Sequence, residues 1–156
     1  MKTMSKLKKK TSPSKISKDV VSNYDCWNSE KFVLLSFAFV TGNKDYNFNY
    51  FESSRAREEL SARIALDELL EELSKNTWQE LTQRSKYQKG GFEKIPYSSC
   101  KESIFNKFKI TPDTSIYSFR FGKGDAYRLL GIKPTSCHKL NILGYDFDYS
   151  AYDHGS

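Results

Sequence analysis

Five residues near the end of the chain carry side chains suited to handling a phosphate: Arg120, Arg128, Tyr149, Tyr152 and His154. A guanidinium group stays charged and grips an anion through two donors at once. Histidine takes up and releases a proton near neutrality, and a tyrosine hydroxyl can orient or donate. Each has a plainer reading too. His154 can be a solvated terminus, and the arginines can be stems lying across a sheet with their heads in water.

The elements that must position them are legible as three β-rich runs. Ser115–Phe121 alternates, breaks at Gly122-Lys123-Gly124-Asp125, and resumes as Ala126–Ile132; a second break at Pro134-Thr135-Ser136 leads into Leu140–Tyr145. Aromatic and β-branched residues between Gly/Pro breakers predict a β-meander. Turn length sets the register. A two-residue turn at Lys123-Gly124 places Arg128 on the apolar face with Tyr117, Phe119 and Phe121, where an unpaired guanidinium is very costly. A three-residue loop with a left-handed glycine shifts the register by one. Arg120 then faces Arg128 with Ser118 beside them, both guanidinium groups open to solvent. The second register is expected.

Upstream, Phe32–Val40 is a continuous apolar run of β-formers, read as a central strand covered on both faces or as one whose second face is partly covered by a helix. Tyr46–Phe51 is a candidate edge strand. Ser53 or Ser54 opens a helix over about 55–74, with Leu60, Ile64, Leu66, Leu69, Leu70 and Leu73 as its apolar stripe. Thr77 and Glu80 have the spacing of a capping box, starting a second helix to about Tyr87 with Trp78 and Leu81 turned inward. These helices form an αα-hairpin. A basic connector follows through Lys86, Lys89, Gly90, Gly91 and Lys94; it lacks the GxxxxGK[ST] pattern of a nucleotide P-loop. A short strand over 92–97 and two helical turns over 102–108 complete the chain. The class is α+β: an N-terminal strand, an αα-hairpin, then an antiparallel β-meander, with the helices on one face of the sheet.

The chain has 156 residues and a net charge of +6, which favours an anionic partner, nucleic acid above all. The seven lysines of the first 18 residues, less Asp19, equal that whole charge. Residues 1–22 therefore read as a disordered basic tail, and 23–156 as a single near-neutral domain. Cys26, Cys100 and Cys137 are odd in number and lack metal-ligand spacing, so no disulfide framework or metal site is expected, and a reducing cytoplasm is. No apolar run approaches the length of a membrane span.

Tyr117-Ser118-Phe119-Arg120-Phe121-Gly122, Tyr127-Arg128-Leu129-Leu130, Ile142-Leu143-Gly144-Tyr145 and the closing Tyr152 resemble the RelE/ParE superfamily of bacterial toxins. The likeness spans about residues 32–152 in element order, with Tyr127-Arg128 its most specific match. It implies either a metal-free endoribonuclease acting on mRNA, on or off the ribosome, or a non-catalytic member that binds a protein target such as gyrase, or nucleic acid, without cleavage. Arg120 and Arg128 match phosphate-contacting positions, and Ser118 falls where many members have lysine. Tyr149 occupies a slot for Arg or His, and His154 follows Tyr152. Cleavage needs a base for the 2′-hydroxyl, cations at the phosphate and an acid for the leaving oxygen. Arg120, Arg128, Tyr149, Tyr152 and His154 would supply these, with Lys86, Lys89, Lys94, Lys123 and Lys139 holding RNA. An antitoxin is the implied protein partner; no cofactor and no membrane partner are implied.

Overall fold

The structure, a computed structural model, describes residues 32–101, 104, 110–135 and 137–153. Five strands form one mixed sheet: β1 (Leu34–Ser36), β2 (Phe92–Pro96), β3 (Ser115–Phe121), β4 (Tyr127–Ile132) and β5 (Lys139–Asp146), in the order β1-β5-β4-β3-β2. Strands β2 to β5 run antiparallel, and β1 lies parallel to β5 at the edge. One long helix, α1 (Ala56–Ser74), crosses the sheet; α2 (Trp78–Thr82) is a short turn of helix. The class is α+β. Among the described residues, no helix is long and apolar enough to cross a membrane.

Alternation divides the meander between two faces. Phe119, Phe121 and Leu129 pack with Leu66, Leu69 and Leu73 of α1. On the opposite face, Ile116, Leu130 and Leu143 pack with Tyr46, Ala151 and Tyr152. Among the described residues, that second face is covered by irregular segments and 3₁₀ turns, while α1 lies on the other. A bulge in β5 makes this possible. Leu130 pairs with Gly144 and Gly131 with Ile142, which leaves Leu143 as the extra residue. The alternation inverts there, and Ile142 and Tyr145 both reach the helix face. The loop before α1 lies directly on Gly144, where a Cβ would sit 2.7 Å from the Tyr46 carbonyl.

Three upstream expectations are corrected. Phe32–Val40 is not a central strand: Leu34–Ser36 alone joins the sheet, Phe32 bridges to Thr77 instead, and Leu34 and Phe37 stay exposed. The run is apolar throughout because it divides its residues, Val33 and Leu35 going to the helix face and Phe39 to the other. Tyr46–Phe51 is not a strand either. The Asn43 and Asn47 side chains accept from the amides of Asp45 and Asn49, winding two successive 3₁₀ turns. The stripe of α1 is also rotated from the expected one. Ala62, Leu66, Leu69 and Leu73 are buried, while Leu60 and Ile64 are 60% and 54% exposed.

The start of α2 follows the sequence. Thr77 and Glu80 form the reciprocal capping box, and Trp78 is buried with its indole N–H donating to the His138 carbonyl at 2.7 Å. The helix ends at Thr82 rather than Tyr87, because Arg84 turns back to Glu72, Asn76 and the Lys89 carbonyl and closes a compact loop. The expected tail over 1–22 lies outside the described residues, as do the helical turns over 102–108 apart from Ile104.

Candidate nucleic-acid interface

The β3–β4 turn sets the register on which the site depends. Gly122 and Gly124 have φ of +83° and +66°, and Asp125 is also left-handed at +56°. A Cβ on Gly122 would meet the Tyr127 ring at 2.6 Å. The ladder closes at Phe121–Tyr127, so Arg120 stands directly opposite Arg128, and Arg128 opposite Asp146. Three charged residues therefore form one row across β3, β4 and β5, on the face away from α1. The second register, the one expected from a longer turn, is present.

Solvent access within that row is uneven, and here the expectation of two open guanidinium groups fails. Arg128 is only 3% exposed. Its Nη1 donates to the Asp125 and Tyr127 carbonyls, and its guanidinium carbon lies 4.8 Å from the Tyr149 ring centroid. Tyr149, left-handed at φ +61°, donates its hydroxyl to the same Asp125 carbonyl at 3.0 Å. The C-terminal turn thereby folds over Arg128 and seals it from above. Asp146, fully buried, holds that turn in place by accepting from the amides of Asp148, Ser150 and Ala151. The carboxylate opposite Arg128 eases the burial of a cation facing another cation.

Arg120 behaves differently. The β2–β3 ladder ends at Phe92–Phe119, so Arg120 stands one residue past its last pair. Its guanidinium carbon rests 4.6 Å from the centroid of Tyr87, whose side chain is two-thirds exposed. Together they border a cleft of about 540 Å³ between α1 and the β3–β4 turn, with Lys89 and Lys123 also on its rim. Lys89 sits 3.8 Å from Glu68 in a pair more than half exposed on both sides. Such a pair is worth little, so the lysine is released cheaply.

Tyr152 is buried and joins a hydrogen-bonded chain across β3 and β2. Its hydroxyl lies 2.9 Å from Ser118 Oγ and donates to Glu93 at 3.0 Å, and Glu93 accepts from Lys86 at 3.0 Å. Burial, reinforced by the Glu93 charge, pushes the Tyr152 phenol up to about 12. It stays protonated at neutral pH and ties the C-terminus to the sheet. Ser118 has a matching structural task, as the buried partner of that hydroxyl.

The structure thus brings Arg120, Lys89 and Lys123 to one cleft, and places Arg128, Tyr149 and Tyr152 in a packed cluster behind it. Lys86 is engaged with Glu93. Lys94 lies over the Tyr117 ring, beside β3 residues that face α1. Lys139 begins β5 next to Leu34, seven residues from Asp146 and so about 23 Å away along the strand. His154 lies outside the described residues. Sequence reasoning missed Tyr87, Glu93 and Asp146. The last two were detectable as the single carboxylate of each strand, whereas Tyr87 carried no signal within a polar loop. Compared with models of known protein families, with curated proteins and with solved structures, the chain matches none of them.

Proposed function

We propose that this chain is an RNA-binding protein of the RelE/ParE-like toxin class, held off by an antitoxin and working in the cytoplasm. In this reading β1 stands for the N-terminal strand, and α1 with α2 for the helical hairpin. The observation that carries it is the cleft beside Arg120. Of the two cross-strand arginines, this one reaches the surface, with Lys89 and Lys123 on the same rim and an aromatic ring under its guanidinium. Cations interleaved with an exposed ring suit a backbone phosphate and a base together.

Holding RNA without cutting it is the function this geometry supports best. Arg128 and Tyr152, two groups that cleavage would call on, are packed away and engaged in holding the C-terminal turn. The endoribonuclease reading keeps one supporting observation: the half-exposed Tyr149 ring lies beside the β3–β4 turn that borders the cleft, and His154 follows it closely in sequence.

Purified protein incubated with RNA, with and without ribosomes and with and without chelator, tests both readings. Retardation of RNA without new fragments is expected. Chelator-resistant fragments would move the conclusion to the nuclease. Absence of any RNA binding at low salt would remove both and leave the protein-target alternative.

A further inference from the structure

The cleft has a second chemical character besides its charge. Its floor is apolar, formed by Ile64, Ala65 and Leu69 of α1 and by Phe121 of β3. Ile64 is more than half exposed, although it projects from a helix whose other large aliphatic residues mostly pack against the sheet. Tyr87 stands at the opening with most of its surface in water. Arg120 and Lys86 both lie over that ring, 4.6 and 5.5 Å from its centroid, and about two-thirds of the residue still stays open to water. An amphipathic recess of this size falls within the range of small-molecule sites. The apolar floor does nothing for a phosphate, and the cationic rim does nothing for a purely apolar ligand. A nucleotide answers both, with a flat base against the floor and ring and an anionic phosphate at the rim.

We propose that the cleft is a pocket for one unpaired nucleobase, stacked on Tyr87 against the α1 side, with its phosphate held by Arg120 and Lys123. This inference rests on the RNA-binding reading above and narrows it: the ligand must be single-stranded at the bound nucleotide. A base inside a duplex is already stacked and paired, and cannot enter a recess enclosed between a helix and a hairpin turn. The Arg120–Tyr87 contact supports this role, because the guanidinium that fixes the ring also supplies the phosphate donor beside it. Glu68 and Asp125, which also border the cleft, limit its net charge. Affinity would therefore depend on stacking as well as on charge.

The test uses the full chain and two RNA probes of the same sequence, a short single strand and its duplex, with 2-aminopurine replacing one base. Anisotropy gives affinity, and quenching of 2-aminopurine reports stacking. The wild type should prefer the single strand and quench its fluorophore. Tyr87→Ala should weaken single-strand binding by about 5- to 150-fold, the range set by loss of one base–aromatic stack, with duplex binding and melting temperature unchanged. Tyr87→Phe should bind like the wild type, and Tyr87→Leu, which keeps bulk without a π-face, should behave like the alanine variant. Single-strand binding unaffected by Tyr87→Ala would overturn the base pocket while leaving RNA binding intact. A wild type that binds neither probe would overturn RNA binding, and the pocket with it.

Discussion

Arg120 and Arg128 are direct cross-strand partners in the β3–β4 ladder, yet Arg120 borders a cleft with its guanidinium against the exposed Tyr87 ring, while the Arg128 guanidinium is sealed beneath Tyr149. Register alone would make them equivalent. The C-terminal turn, reaching back 24 residues from Tyr149 to Asp125, separates their roles.

Arg128→Ala should accordingly destabilise the fold by about 3 kcal/mol, since it removes charge-assisted bonds to two carbonyls and leaves Asp146 facing an empty site. Arg120→Ala should cost about 1 kcal/mol, because the residue is only half-buried and its guanidinium rests on the exposed Tyr87 ring, and should weaken RNA binding. Urea unfolding of both variants, paired with anisotropy, checks this. Equal losses of stability would show that the two arginines share one structural role.

Trp78→Ala should cost about 3–5 kcal/mol, as large core truncations do. Trp78→Phe should cost less, chiefly the hydrogen bond to the His138 carbonyl, about 1 kcal/mol. If the two variants melt at the same temperature, packing around the indole contributes nothing beyond that bond.

The rotated stripe of α1 is tested by a pair of substitutions. Leu60→Glu should leave stability within about 0.5 kcal/mol of the wild type, while Leu69→Ala should cost about 2–5 kcal/mol. A large loss from Leu60→Glu would mean that residue 60 is covered in solution.

Acid sensitivity should centre on Glu93. Burial, the largest single influence, would raise its carboxyl, but the hydrogen bonds from Lys86 and Tyr152 and the charges of Lys86 and Arg120 together hold it below its ordinary range. The folded state then binds this proton more weakly than the unfolded chain does. Its stabilising share is fully present above the ordinary value, about 4.3, and is lost as pH falls through the depressed folded value. Glu93→Gln should flatten this part of the stability curve below about pH 5. An unchanged acid limb in urea titrations would place the sensitivity elsewhere.

The sequence by itself determined what is local. The capping box at Thr77 and Glu80 is a three-residue relationship that closes within one turn of backbone. The β3–β4 register follows from turn length and two glycines able to take positive φ, and that register sets Arg120 opposite Arg128. Alternation in β3 likewise separated Phe119 and Phe121 from Ser118 and Arg120. What only the tertiary structure decided was which of these positions water reaches. Periodicity gives a helix an apolar stripe, but the sheet beneath α1 chose Ala62 and Leu66 over Leu60 and Ile64. A continuous apolar run signals burial, but not that Phe32–Val40 would split its residues between two layers with only three of them in a strand. The same holds for the site. Burial is a property of what lies above a residue, and for Arg128 that neighbour is Tyr149, held in a left-handed turn by the buried Asp146 at the end of β5. No spacing rule links those residues, because their contact exists only once the sheet has formed.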